Sequence, residues 1–394
     1  MSGLDSVATG DAIALTRALV RIDSRNPSLV TGAPGETEIA HALAAVLTRW
    51  GLRVELHRVA PERFNVVARA GRAIAGAPTL MFNGHLDVVD VEAMHAPFDA
   101  EERDGCIFGR GSSDMKSGVA AMCAAAARAA RLGIDGEVIV AAVVDEEYES
   151  KGTRALLASG VRADAAIVTE PTGLAIDPAH KGFTWIEVTV HGRAAHGSRY
   201  EIGVDAIRHC GLLLAELDAA EAGGMAARTH PLLGRASLHA STIIGGVGWS
   251  TYPESCVLTI ERRTLPGESP DDALGEVRDA CARLGRRTGG FSATVRHVFS
   301  QEPSDVPIDA PIVRSLGHAM LQENESIRYD GMSAWTDAAL LNAAGIPTIC
   351  FGPGDIALAH SADEWVKIDE IERATRVLTR LATTWCATGA TWPL

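Results

Sequence analysis

The sequence predicts an α/β protein with a mostly parallel central sheet covered by helices, into which a smaller α+β sandwich is inserted. Apolar segments alternate with helical segments in both outer parts of the chain, as in a parallel sheet covered on both faces. The segment TWIEVTVHG (184–192) instead alternates apolar and polar residues, which indicates a half-exposed antiparallel strand. Histidines and acidic residues follow several apolar segments, where strand ends of such a sheet are expected.

The first domain is predicted to begin with residues 1–180. Periodic apolar residues and glycine or proline stops place its elements. Helices are predicted at 11–22, 36–50, 115–132 and 153–159, and strands at 53–59, 64–70, 78–83, 137–144 and 164–169.

A second domain is predicted over 181–297, with the order β-α-β-β-α-β that is typical of a small α+β sandwich. Its elements are a strand at 184–192, a helix at 203–220, strands near 236–244 and 254–263, a helix at 271–286 and a strand at 291–299. The α/β pattern then resumes, so that 298–394 completes the first domain. That part contains predicted helices at 311–322, 333–343 and 369–385 and a strand at 346–351.

Composition narrows the class of protein. The chain has 394 residues and a net charge of −14, which argues against nucleic acid or an anionic membrane as a partner. Its seven cysteines are scattered without a CxxC pair, which favours reduced thiols in the cytoplasm. Neither a secretory leader nor an apolar run of membrane-spanning length is predicted.

The motif GHLDVVD (84–90) follows the apolar strand predicted at 78–83. His85 and Asp87 are two residues apart, so they project on the same side of an extended chain. A histidine can bind a metal through one ring nitrogen while a carboxylate holds the other, which makes Asp87 a candidate partner of His85. The alternative is an ordinary strand end with two polar residues.

Four more motifs carry acidic residues or histidine. In GRGSSDMKSG (109–118), Asp114 opens the helix predicted from Met115, and capping of that helix is the simpler explanation. The carboxylates of Glu146 and Glu147 follow an apolar strand, where solvation on a surface loop is the alternative. Further candidates close or follow apolar strands at Glu170 in IVTEPTG and His360 in ALAHSADEW.

These motifs converge, because the carboxyl ends of parallel strands share one edge of the sheet. Three ligand carboxylates and a bridging hydroxide carry four negative charges, which two Zn²⁺ ions would neutralise. Mixed histidine and carboxylate ligation suits zinc, with Co²⁺ or Mn²⁺ as substitutes. Two such metals about 3.5–4 Å apart would polarise a carbonyl, and one residue of the pair Glu146 and Glu147 would remain free as general base. The chemistry predicted is metal-assisted amide hydrolysis.

The five motifs, their order and the inserted domain resemble the dinuclear zinc aminoacylase/carboxypeptidase family, in particular its acetylornithine-deacetylase-like members. The resemblance covers essentially the whole chain. It implies a zinc-peptidase-like catalytic domain and a cis peptide after Asp114. It also implies Glu146 as general base and Asp87 as the partner of His85. One zinc would be bound by His85, Asp114 and Glu170, and the other by Asp114, Glu147 and His360.

The inserted domain resembles the family's lid and dimerisation domain, which implies a homodimer. His196 in GRAAHGSRYEIG matches the histidine that stabilises the tetrahedral oxyanion in the partner's site, although an exposed loop histidine is the alternative. Arg263 in ERRTLPGES matches an arginine that holds the substrate carboxylate, with a salt bridge to Glu261 as the alternative. Ser250 stands where many members have asparagine, and Gly331 is predicted to line the substrate pocket.

The function predicted is removal of a small acyl group from an N-acyl amino acid with a free carboxylate. A dipeptidase or carboxypeptidase of the same family is the alternative within this chemistry. A catalytically inert metal- or ligand-binding homologue is the alternative of another class, and Glu146 argues against it, because such a protein needs no base. Phosphoester hydrolysis on two zinc ions is disfavoured, since the sequence has no basic phosphate clamp.

Overall fold

A computed structural model describes residues 6–389, which form two compact units. The first unit consists of the described residues up to 179, of 306–331 and of those from 336 onward. The second consists of 180–305 and 332–335. It therefore extends beyond the boundary predicted at 297, because the strand Ser292–Gln301 continues through that position without a turn.

Within the described residues, the α-helices are α1 (Ala12–Val20), α2 (Thr37–Arg49), α3 (Ser117–Leu132), α4 (Lys151–Ala158), α5 (Ala206–Gly223), α6 (Pro270–Arg287), α7 (Pro311–Gln322), α8 (Ala338–Ala343) and α9 (Ile368–Trp385). The strands are β1 (Arg53–Ala60), β2 (Arg63–Gly71), β3 (Thr79–His85), β4 (Glu101–Arg103), β5 (Cys106–Phe108), β6 (Glu137–Val143), β7 (Ala165–Val168), β8 (Ile176–His180), β9 (Gly182–His191), β10 (Thr229–His230), β11 (Gly234–Arg235), β12 (Ser237–Gly245), β13 (Ser255–Thr264), β14 (Ser292–Gln301), β15 (Ser304–Asp305), β16 (Tyr329–Met332), β17 (Thr348–Cys350) and β18 (Trp365–Lys367).

The first unit is built on a sheet with the strand order β1-β2-β6-β3-β7-β17-β8, and β16 pairs with β8. The central strands β6, β3, β7 and β17 are parallel, as predicted. The pairs β1–β2, β2–β6 and β17–β8 are antiparallel. Strands β3 and β6 are buried along nearly their whole length, because helices cover both faces of a sheet of this kind.

Helix α3 fixes one side of the site. Its many alanines are buried, and it packs against α1 and α9. The helix also approaches the end of β7 closely at Gly118. A Cβ atom there would lie 1.9 Å from the carbonyl oxygen of Thr169, so that only glycine fits. This contact brings the segment before α3 to the end of β7, where Glu170 follows.

Several helix starts differ from the prediction, among them those of α3 and α8. Helix α3 begins at Ser117 rather than Met115, since Asp114 and Met115 have non-helical backbone angles. Asp114 is therefore not the capping residue of α3. Helix α8 begins at Ala338 rather than at 333, because the preceding segment bends and the Thr336 hydroxyl accepts the backbone N–H of Ala338.

The second unit contains a four-stranded antiparallel sheet with the order β12-β13-β9-β14. Alternate residues of β9 and β13 are buried, and they form a core with α5 and α6. The predicted β-α-β-β-α-β order is present as β9, α5, β12, β13, α6 and β14. Strand β12 lies at one edge of the sheet, and most of its residues are exposed. Among the described helices, none has both the length and the apolar character needed to cross a membrane.

Candidate active site

Three neighbouring parallel strands end at one edge of the first unit's sheet. The last residue of β3, His85, pairs with Val143 at the end of β6. Asn83 of β3 likewise pairs with Val168, the last residue of β7. The polar residues that end or follow these strands therefore meet at this edge, and they are His85, Glu146, Glu147 and Glu170.

A buried glutamate holds the Asp114 segment in place. One carboxylate oxygen of Glu364 accepts the backbone N–H groups of Ser113 at 2.9 Å and Asp114 at 3.0 Å. Its other oxygen accepts the Gly111 N–H at 3.0 Å and the Arg110 guanidinium at 2.7 Å. The peptide between Asp114 and Met115 is cis, as the resemblance implies. The role of Glu364 was not predicted, although it belongs to the motif that contains His360.

The Asp114 carboxylate lies between two imidazoles. Its Oδ1 is 3.0 Å from Nε2 of His85, and its Oδ2 is 3.6 Å from Nε2 of His360. The His360 ring also lies 3.1 Å from Oε2 of Glu147. His85, Asp114 and Glu147 each offer one donor atom within 4.8 Å of the others. A single cation could therefore contact donors from several elements, with Asp114 at the centre.

The Asp87 carboxylate does not make the hydrogen bond predicted for it. The Nδ1 of His85 lies 2.8 Å from the backbone carbonyl of Asp87, to which it donates, and 3.9 Å from the nearest carboxylate oxygen. The carboxylate instead accepts the backbone N–H groups of Glu146 and Glu147, each at 3.1 Å, and the side-chain amide of Asn26 at 2.9 Å. Because Nδ1 carries the proton, Nε2 can present a lone pair to a metal.

Burial and mutual repulsion disfavour ionisation of the acids in this cluster. Burial, and then the charge of Asp114, raise the pKa of Glu147 and raise that of Glu170 well above its usual value. Burial also raises the pKa of Glu146, against the opposing charge of His85. For Asp114, burial is outweighed by the hydrogen bond from His85 together with the charges of His85, His360 and Arg110, which lower its pKa.

We define the acid cluster as Asp114, Glu146, Glu147 and Glu170. Among residues 6–389, no lysine or arginine forms an ion pair with any of these four side chains. Imidazole and carboxylate donors without a protein cation are the ligand types that zinc, cobalt and manganese accept. The donor set therefore fits divalent metals, which would compete with protons for the same oxygens.

The other predicted site residues lie elsewhere in the chain. His196 is exposed, and its Nδ1 lies 2.8 Å from the Ser198 hydroxyl. Its segment runs beside that of Ser250, whose carbonyl accepts the Gly197 N–H at 2.8 Å. Arg263 pairs with Glu261 at 2.7 Å, which is the alternative left open by the sequence. Gly331 lies on β16 of the first unit, where its N–H donates to the side chain of Asp330.

Comparison with known proteins relates the chain to a family of peptidases. Residues 81–384 match the model of peptidase family M20/M25/M40. The chain is 30% identical over 338 residues to acetylornithine deacetylase of Myxococcus xanthus, a match that covers 82% of this chain and 85% of the relative.

Solved structures show the same fold at lower sequence identity. Aminopeptidase PepT of Bacillus cereus ATCC 10987 aligns over 96% of this chain and 98% of its own, with a TM-score of 0.79 and 18% identity. The Bacillus subtilis YXEP protein, described as a dinuclear metal-binding peptidase, aligns over 94% of this chain and 96% of its own, with a TM-score of 0.70 and 16% identity.

Proposed function

The chain belongs to peptidase family M20/M25/M40, and from this premise we propose that it removes a small acyl group from the nitrogen of an amino acid. Its class is that of a metal-dependent hydrolase of C–N amide bonds. The proposal adds the acyl amino acid as substrate, which the similarity to an acetylornithine deacetylase supports. One observation in the structure supports it most: the acid cluster lies beside two imidazoles, and no arginine or lysine of the described residues forms an ion pair with it.

The proposed metals are two Zn²⁺ ions, with Co²⁺ or Mn²⁺ as substitutes. His85, Asp114 and Glu170 would hold one ion, and Asp114, Glu147 and His360 would hold the other. The position of Asp114 between the two rings supports its role as the shared ligand. Bound metals would polarise the scissile carbonyl and lower the pKa of water at the site.

Glu146 is the proposed general base. Its neighbour Glu147 contacts the His360 ring, whereas the Glu146 carboxylate has no such partner within the described residues. A carboxylate at this position can take a proton from water and deliver it to the leaving amine. Asp87 fixes the backbone on which both glutamates stand, since it accepts their two N–H groups.

Four further residues are proposed to act on the substrate. His196, in the segment next to Ser250, is proposed to stabilise the oxyanion, and Arg263 to bind the substrate carboxylate in exchange for Glu261. Ser250 and Gly331 are proposed to line the substrate pocket.

A homodimer through the second unit is proposed as the working form. The edge strand β12 and the loop after it expose apolar side chains that a partner would cover, namely Ile243, Ile244, Val247 and Trp249. A cytoplasmic location is proposed from the cysteines, since all seven are free thiols in the structure.

A hydrolysis panel tests the proposal. Purified protein would be given N-acetyl, N-succinyl and N-formyl amino acids and unblocked dipeptides, with and without a chelator. We expect chelator-sensitive release of an amino acid from at least one blocked substrate. Turnover restricted to free dipeptides would replace the deacylase with the peptidase, which the structural similarity to an aminopeptidase supports. Absence of turnover on every substrate, with metal bound, would favour an inert homologue.

A further inference from the structure

A buried ion network lies directly behind the Glu146 loop. We define the Arg63 network as Asn26, Glu36, Arg63 and Asp145, all of which are buried in the first unit. These residues come from the loop after α1, the start of α2, the start of β2 and the residue before Glu146. None of them belongs to the proposed metal ligands.

Arg63 lies at the centre of this network, and a second cation, Lys151, lies at its edge with Nζ 3.4 Å from Oδ2 of Asp145. The Nε of Arg63 donates to Glu36 at 2.9 Å, and its Nη2 makes a second contact with the same carboxylate. Its Nη1 donates to Oδ1 of Asp145 at 2.7 Å, and Nη2 reaches the side-chain oxygen of Asn26 at 3.3 Å. One guanidinium therefore fixes three side chains from three different elements.

Two connections lead from Arg63 to the Glu146 loop. The first is Asp145, which immediately precedes Glu146 and has a positive φ of 68°. Such a backbone conformation costs about 1 kcal/mol or more in a non-glycine residue and persists only where its surroundings hold it. Arg63 contributes to that restraint by binding the Asp145 side chain. Lys151 and the Ser28 hydroxyl also contact this side chain, while the Ser150 N–H donates to the Asp145 carbonyl.

The second connection runs through Asn26. With its oxygen on Arg63, the amide group of Asn26 donates to Oδ2 of Asp87 at 2.9 Å and to Asp145 at 3.3 Å. Asp87 in turn accepts the N–H groups of Glu146 and Glu147. A shift of Arg63 would therefore reach the peptide of Glu146 from two directions.

We propose that Arg63 is a positioning residue that sets the placement of the Glu146 carboxylate, through Asp145 on one side and Asn26 and Asp87 on the other. The inference rests on the proposed role of Glu146 as general base. Stability alone is a weak reason for such a network, since buried ion pairs can often be replaced by apolar side chains without loss of stability. Small displacements of a reacting group, in contrast, lower rates steeply.

The first test is Arg63→Lys, which keeps the charge but cannot maintain all three contacts. We expect kcat to fall ~10–100-fold, the usual range for groups that support metal-site residues. KM and metal per chain should stay at the wild-type values. The matched control is Arg128→Lys, because Arg128 makes a two-pronged pair with Glu372 on α9 that contacts nothing in the acid cluster. An unchanged kcat per folded, metal-loaded chain, with only a lower melting temperature, would overturn the proposal.

The second test is a double-mutant cycle with Glu146→Gln. If Arg63 acts by placing the Glu146 carboxylate, Arg63→Lys should cost little further activity once that carboxylate is gone. An equal fold loss in both backgrounds would overturn the inference while leaving the base intact. Wild-type turnover in Glu146→Gln alone would instead refute the proposed role of Glu146 as base, and absence of turnover by the wild type on every substrate would refute the proposed function, so these failures can be distinguished.

Asn26→Ala keeps the inference testable if Arg63→Lys does not fold. It removes the amide donor to Asp87 and leaves no buried charge without its partner. We expect the same pattern, with a lower kcat and unchanged metal content and KM. Wild-type kcat in a folded Asn26→Ala protein would remove the second connection and overturn the proposal as stated.

Discussion

Two groups of buried acids in the first unit are joined by a single peptide bond, and only one of them contains an arginine. In the Arg63 network, the guanidinium contacts both Glu36 and Asp145. In the acid cluster, which starts one residue later at Glu146, no arginine or lysine of the described chain forms an ion pair. Glu36 and Asp145 are fully buried and Glu146 and Glu147 less so, and the two groups have opposite electrostatic surroundings.

The difference indicates what each group is for. Burial opposes ionisation of Asp145, yet the charges of Arg63 and Lys151 and the hydrogen bonds from Arg63 and Asn26 together outweigh it and lower the pKa of that carboxyl. Glu146 has no such neighbour, and burial raises its pKa. Glu36 is intermediate, since burial and the charge of Asp87 raise its pKa to about 7 despite its contact with Arg63. The acids that pair with arginine hold the local structure in place, whereas the acids without an arginine partner are suited to bind cations.

The largest expected effect is a loss of activity on substitution in the acid cluster. Glu146→Gln should lower kcat by ~10²–10⁴ while metal per chain stays unchanged, because the amide cannot accept the proton of water. Steady-state kinetics and elemental analysis would measure both quantities. Glu102→Gln is the control, since Glu102 is exposed and pairs with Arg17, away from the acid cluster. Equal activities of the two variants would contradict the assignment.

The next largest expected effect at a fixed pH is a loss of stability on substitution in the Arg63 network. Asp145→Asn leaves Arg63 with one carboxylate partner instead of two, so we expect the free energy of unfolding to fall by about 3 kcal/mol. Urea denaturation of metal-stripped protein at pH 7 would measure it. A variant as stable as the wild type would mean that the Arg63–Asp145 pair contributes nothing to the fold.

Asp177, a buried acid that belongs to neither group, should make the stability of the fold depend on pH. Burial, and then the charge of Asp330, raise the pKa of Asp177 to about 8, and its Oδ1 has no hydrogen-bond partner. Because the folded-state pKa is raised, the stability from the neutral form is complete below the unfolded pKa and is lost as pH rises through about 8. Asp177→Asn should therefore gain roughly 4 kcal/mol over the wild type between pH 5 and pH 8.5. A difference that is independent of pH would refute this.

The smallest expected effect is the change in stability of Glu170→Gln, which should have the opposite sign to that of Asp145→Asn. Glu170→Gln replaces a buried acid that lacks an arginine, so the metal-stripped variant should be more stable than the stripped wild type by about 1 kcal/mol at pH 7. Asp145→Asn, under the same conditions, should be less stable. The same denaturation experiment measures both variants, and a shared sign would remove the proposed distinction between the two groups.

The sequence predicts the parts of this arrangement that are local. Strand ends at His85 and Glu170 follow from apolar segments, and the order of the motifs predicts that they meet at one edge. The antiparallel pairing of β8 and the contacts of Glu364 were not predicted. Glu364 binds the Asp114 peptide from 250 positions away, and such a contact depends on tertiary folding rather than on periodicity.

The position of Arg63 was missed for a related reason. Its sequence context is a strand start in which an arginine is usually solvated, and only the fold brings Glu36 and Asp145 around it. The Asp87 carboxylate was expected near the His85 ring because the two residues lie on one side of a strand. The strand ends at His85, however, and the chain turns so that the Asp87 backbone carbonyl meets the ring instead.

The central claim is that the acid cluster lacks arginine and lysine partners because it binds metal ions. Calorimetric titration of metal-stripped protein with Zn²⁺ tests this most directly. We expect saturable binding of about two ions per chain, with release of protons from the raised carboxyls. Titration without saturable binding, in protein that is folded, would contradict the claim.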